Sequence, residues 1–176
     1  MKKIILILIG LILLILLGLQ LYYNVYNKGY EDKKYGFLLL NTRGWRILYP
    51  KEGVYLSLAT EKDGRALSYL GISPLLKSAN EDKDAETIRK LCNDLISNSG
   101  ATFVDFKEVG IGDLKGYTCN YEVFGTNLNQ TLNASSITLF GKSSGTYDYI
   151  ISTSFPKGNQ EEQEKVERLV NSFWVN

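Results

Sequence analysis

From Ile4 to Leu21 the chain carries no charge, and Gln20 is the only polar side chain in the run. A helix of that length, at about 1.5 Å per residue, covers most of a bilayer's hydrocarbon core of about 30 Å. Lys2 and Lys3 stand in front of it. A secretory signal has a shorter apolar region of about 7–15 residues and an Ala-x-Ala-like cleavage site. Here the run is longer, and Gly18-Leu19-Gln20 substitutes poorly for such a site. Lipoprotein processing needs a cysteine directly after the run, and the first cysteine is Cys92. The expectation is an uncleaved, single-pass signal-anchor. Lys28, Lys33 and Lys34 beyond the span blur the positive-inside rule, but the short Met-Lys-Lys start favours an exported domain. Tyr22, Tyr23 and Tyr26 suit an aromatic belt at the far interface.

Residues 1–28 are thus expected to form the anchor and its juxtamembrane extension, 29–35 a polar linker, and 36–176 one domain. About 145 residues is a common domain size and buries enough surface to fold without a metal or disulfide. All nineteen acids lie from Glu31 onward, and setting aside Lys2, Lys3 and Lys28 leaves 17 bases against them. A near-neutral domain with interspersed signs has no electrostatic footprint for nucleic acid. The chain has no histidine, which removes the imidazole on which most general-base, proton-shuttle and transition-metal sites rely.

Hydrophobic periodicity gives the fold class. Gly36–Leu40, Trp45–Tyr49, Val54–Ala59 and Ala66–Ser73 read as strands, with Asp63-Gly64 as a hairpin turn. From Asp82 to Ser99 the period becomes helical: Ile88, Leu91, Cys92, Leu95 and Ile96 share a face, and Gly100 suits the C′ position. Thr102–Val109, Tyr117–Phe124, Ser135–Phe140 and Tyr147–Phe155 follow as strands. In the last segment Asn159 and Glu162 have capping-box spacing, and Val166, Leu169, Val170, Phe173 and Trp174 line one side. The pattern predicts an α+β domain: a mostly antiparallel sheet packed by at least two helices in an α/β/α-like sandwich, behind a transmembrane helix.

The motifs that invite chemistry do not hold together. Gly141-Lys142-Ser143-Ser144-Gly145 matches a nucleophile elbow, but a strand follows it and no histidine exists. Its Gly-Lys-Ser lacks the first P-loop glycine, since Ser136 occupies that position. Gly110, Gly112 and Gly116 miss the dinucleotide-binding spacing. Asp105, Glu108, Asp113, Glu122 and Asp148 read as solvated strand and turn positions, and sequence brings no two to the separation an acid/base pair needs. No catalytic, cofactor or metal residue is expected.

Cys92 lies on the apolar face of its helix, and Cys119 shares a strand face with Tyr117, Tyr121 and Val123. Two readings stand. A bridge, persistent only outside the cytosol, would close a loop of about 27 residues and contribute about 3–4 kcal/mol. Alternatively, both are buried thiols acting as small hydrophobes.

Gly44-Trp45, Tyr49-Pro50, Leu114-Lys115-Gly116-Tyr117, Thr146-Tyr147-Asp148-Tyr149-Ile150-Ile151 and Ser172-Phe173 occur in an order that resembles the PsbP-like and DcrB-like group. That group includes a photosystem II extrinsic protein, a Ran-binding nuclear protein and bacterial envelope proteins. The resemblance spans about Tyr35 to Trp174 and implies a central antiparallel sheet with helices against it. Its members mostly bind or stabilise other proteins and are not enzymes, and it places no functional residue on this chain.

The expectation is a membrane-anchored extracytoplasmic protein of the bacterial envelope, non-catalytic, with a protein partner and no nucleic acid. A carboxylate-dependent envelope hydrolase using Asp105, Glu122 or Asp148, or a purely structural subunit of a membrane complex, are the alternatives.

Overall fold

A computed structural model describes residues 10–18, 29–48, 54–77, 84–141 and 145–175. Helix α1 covers residues 10–18, and the side chains from Leu11 to Leu17 are each more than half exposed. No helix among the described residues is long and apolar enough to cross a membrane. The rest of the run from Ile4 to Leu21, Tyr22, Tyr23, Tyr26, Tyr49-Pro50, Asp82, and Lys142 to Ser144 lie outside the described residues.

Two antiparallel sheets follow. Strands β1 (Tyr30–Asp32), β2 (Phe37–Leu39) and β10 (Phe173–Val175) form a small sheet in the order β1-β2-β10. The large sheet runs β3 (Arg46–Leu48), β4 (Leu56–Lys62), β5 (Arg65–Leu76), β9 (Tyr147–Pro156), β8 (Gln130–Phe140), β7 (Leu114–Gly125), β6 (Thr102–Ile111). Helices α2 (Ala85–Ser99) and α3 (Gln160–Val170) complete the domain. Asp63 and Gly64 both take positive φ, 53° and 75°, as the tight turn joining β4 to β5 requires.

Residues directly opposite one another in a sheet share a face, so the register fixes the layers. Thr118, Ile137, Ile151, Ile72 and Leu56 form one row across β7-β8-β9-β5-β4. Cys119, Ser136, Ser152, Gly71 and Ser57 form the next, on the opposite face. The isoleucine face packs against Val166 and Leu169 of α3 and against Phe37, Leu39 and Phe173 of the small sheet. Phe37, Tyr149 and Phe173 interlock there, with ring centroids 5.2–6.1 Å apart. The other face carries α2, which a disulfide joins to β7 through Cys92 and Cys119, their Cα atoms 5.8 Å apart. The two helices therefore cover opposite faces.

Three expectations are corrected. The polar stretch 29–35 is no linker: Tyr30–Asp32 is a strand paired with β2, and Asp32 is buried. Burial raises the Asp32 carboxyl, but hydrogen bonds from the Tyr35 N–H, the Tyr55 hydroxyl, the Lys34 N–H and the Tyr30 hydroxyl outweigh it and hold the acid below its usual range. Phe173 and Trp174 do not extend α3. The helix stops at Val170, its C-cap Asn171 N–H bonds to Glu167 O, and the chain turns into β10. Leu91 and Leu95 are not core residues: they are 59% and 39% exposed, and of all α2 only Cys92 is buried. Ile88, Cys92 and Ile96 are the α2 side chains that lose exposure, while Arg89 lies over the Phe106 ring of β6 at 4.8 Å.

Candidate functional site

On the isoleucine face, α3 covers β9 and β5 and leaves parts of β6, β7 and β8 open. The uncovered strands and the side of α3 enclose a groove of about 520 Å³. Its apolar lining comes from Val104, Val109, Ile137, Phe155 and Val166. Its floor is polar, because β7 alternates Thr118, Asn120 and Glu122 toward this side while β8 contributes Asn133 and Ser135.

Asn120 is the hub of the floor. Its Oδ1 accepts from the Ser135 hydroxyl at 2.6 Å and the Thr118 hydroxyl at 3.2 Å. Its Nδ2 donates to Asp105 Oδ1. A β-bulge between Phe103 and Asp105 shifts the register so that Asp105 stands opposite Asn120. Lys107 Nζ lies 3.2 Å from the other carboxylate oxygen. The Asn120 amide, opposed by partial burial and helped by Lys107, holds the Asp105 carboxyl below its usual range. At the rim, Lys157 Nζ pairs with Glu122 at 2.7 Å. On α3, Gln163 Nε2 donates to Glu167 Oε1 at 2.7 Å.

Of the acids singled out in the sequence, the structure brings Asp105 and Glu122 to this side, each tied to a lysine. Glu108 faces the other way, opposite Tyr117, and Asp113 sits in the β6–β7 turn. Asp148 is buried at the start of β9, where its Oδ1 accepts the Gly141 N–H at 2.8 Å. Asp105 is held in its ionised, hydrogen-bond-accepting form. The floor presents hydroxyl, amide and ion-paired groups joined in one hydrogen-bond network. No set of three metal-ligating side chains converges among the described residues.

Sequence reasoning missed two features. The period-2 polar alternation that makes the groove floor was visible, but it is also what a solvated strand face looks like. The second is Glu162, which is only 4% exposed. Asn159 Oδ1 accepts the Glu162 N–H at 3.2 Å, as the capping spacing suggests. The Glu162 carboxylate, however, turns into the sheet: Oε2 accepts from Thr60 Oγ1 at 2.5 Å and Ser68 Oγ at 2.6 Å, and Oε1 from Lys165 Nζ at 2.7 Å. Burial raises this acid, but Lys165, Ser68 and Thr60 together lower it below its usual value.

The architecture is similar to the PsbP and Mog1 fold. Cyanobacterial PsbP (CyanoP) from Synechocystis sp. PCC 6803 superposes with a TM-score of 0.58 at 16% identity, over 86% of this chain and 94% of that one. LpqN of Mycobacterium tuberculosis, involved in cell envelope biogenesis, superposes at 0.55 and 11%, over 76% and 79%. The Ran-binding protein Mog1p of Saccharomyces cerevisiae does so at 0.51 and 11%, over 85% and 95%. No family model and no curated protein matches the sequence. At these identities the likeness shows the fold alone.

Proposed function

We propose that this protein is a single-pass, membrane-anchored domain of the bacterial cell envelope that faces the extracytoplasmic side and binds a protein partner without performing chemistry on it. The groove beside α3 carries the reading: its polar floor is fixed by mutual hydrogen bonds, and Asp105 and Glu122 are ion-paired. Such a surface is pre-organised to receive the amide and hydroxyl groups of a polypeptide segment. Supporting it, Mog1p binds Ran and LpqN is involved in cell envelope biogenesis. The exposed apolar helix α1, inside an uncharged run, supports anchoring. A disulfide suits an oxidising compartment.

Site-specific photo-crosslinking in native membranes tests the binding reading. A photoreactive residue at Gln163, in the groove, is expected to give one discrete adduct that Ser135→Trp abolishes. The same residue at Lys90, on exposed α2, is expected to give none. Equal adducts at both positions, or none at either, would overturn it. Anchoring is tested separately: carbonate-washed membranes should retain a mature chain that still contains residues 4–21, and a mature chain beginning near Leu21 would end that part of the proposal.

A further inference from the structure

The small sheet buries one face and leaves the other open. Phe37, Leu39 and Phe173 point into the core and are fully buried. Side chains alternate along a strand, so Glu31, Leu38 and Trp174, paired in one row, point outward. Trp174 is 46% exposed, and its ring lies beside Gly112 in the β6–β7 turn. The chain arrives on this same face: a Cβ at Gly29 would meet Leu40 Cδ2 at 3.5 Å and Leu38 Cδ1 at 3.6 Å.

We propose that this outer face, with Leu38 and Trp174 at its centre, rests on the lipid surface and places the Trp174 indole among the headgroups. The inference rests on the anchor reading above. The length of chain between the apolar run and the first strand supplies the argument. From Leu21 to Tyr30 the backbone spans at most about 30 Å even when fully extended, and it joins the domain at this face. The patch is therefore held beside a bilayer at high effective concentration, where a small contact area suffices. An exposed tryptophan flanked by leucine is the side-chain combination that partitions to the membrane–water boundary. Lys33, exposed in the turn after β1, is the cation offered to lipid phosphates, whereas Lys34 lies over the Tyr35 ring at 4.8 Å. Glu31, exposed at the outer strand, stays in the aqueous rim.

The test uses the full chain, labelled with 5-fluorotryptophan and reconstituted in lipid nanodiscs, with the Trp174 resonance assigned by a Trp174→Phe variant. Headgroup-spin-labelled lipid is expected to broaden the Trp174 fluorine signal strongly and the Trp45 signal less. Leu38→Glu should relieve the broadening while the protein remains in the disc. Soluble iodide distinguishes the remaining outcomes. An incorporated protein whose Trp174 is unbroadened and iodide-accessible overturns the lipid contact and leaves the anchor standing. One whose Trp174 is shielded from both lipid label and iodide has that face covered by protein, which also overturns it. Failure to incorporate at all overturns the anchor and this inference together. If Leu38→Glu does not fold, the wild-type broadening alone decides.

Discussion

Replacing Glu162 with alanine removes the one acceptor shared by two buried hydroxyls, Thr60 Oγ1 and Ser68 Oγ, which are 2.5 and 2.6 Å from it. Those residues are 4% and 1% exposed, so water does not readily replace the carboxylate. A hydrogen bond to a charged group is worth about 1.5–3 kcal/mol, and stranding a buried donor costs a similar amount. The hydroxyls can rotate toward other oxygens, and Lys165 keeps a partner in Glu161 at 2.7 Å. We therefore expect a loss of about 3 kcal/mol, not the sum of all contacts, or about 10 °C in Tm for a domain of this size. Glu162→Gln presents an oxygen to both hydroxyls and gives up the charge, for about 1 kcal/mol. The pH dependence has a definite sign. The folded pKa is lowered, so the stabilisation is complete above the unfolded value and disappears as pH falls through the folded one. The gap between wild type and Glu162→Ala should narrow below about pH 4. Urea unfolding of both proteins at pH 7 and pH 3, with unchanged m, reads this directly. An alanine variant within about 0.5 kcal/mol of wild type at pH 7, or a gap that does not change with pH, would refute the reasoning.

Three further outcomes follow from the geometry. Reducing the Cys92–Cys119 bridge, or replacing both cysteines with alanine, should lower stability by about 3–4 kcal/mol in the chain-entropy model, and intact mass with and without reductant must differ by two hydrogen atoms. Gly116→Ala would place a Cβ 1.8 Å from the Thr138 carbonyl oxygen, a backbone atom that cannot step aside. This variant should lose several kcal/mol, at least about 3, or fail to fold, and a melt within a few degrees of wild type would contradict it. Leu91→Ser and Leu95→Ser should each cost less than about 1 kcal/mol, against about 2–5 for a truncated core leucine, and a core-sized loss would show that α2 buries more than its central stripe.

The reach of the sequence depended on how local each cause was. Asp63-Gly64, Gly100 and the pair Asn159 and Glu162 were legible because a positive φ or a cap is decided within a few residues. Periodicity located α2 but overstated its apolar face, since Leu91 and Leu95 are helical neighbours of Cys92 and only the sheet decides which of them it touches. The strand at Tyr30–Asp32 was hidden by Glu31, Lys33 and Lys34. Those charges read as linker until β10, distant in the sequence, completes the sheet that makes β1 worth forming. The groove met the same limit: Asp105, Asn120 and Ser135 lie on three strands, and only register brings them together. Asp105, singled out for carboxylate chemistry, is held in its ionised form by the Asn120 amide and Lys107, partners that lie on another strand or two residues away and that only the β6–β7 register brings together.

The pairing of β2 with β10 also sets an order of events. Ser172 bonds to Leu40 across 132 positions, and Leu39 stands opposite Phe173. A three-residue hairpin such as β1–β2 does not hold itself together in water, and closing so long a loop is slow compared with forming the hairpins of the large sheet. The cover over Phe37 and Leu39 is therefore completed only when residues 173–175 pair with β2. β1 and β2 thus depend for their cover on a strand that lies more than 130 residues further along the chain.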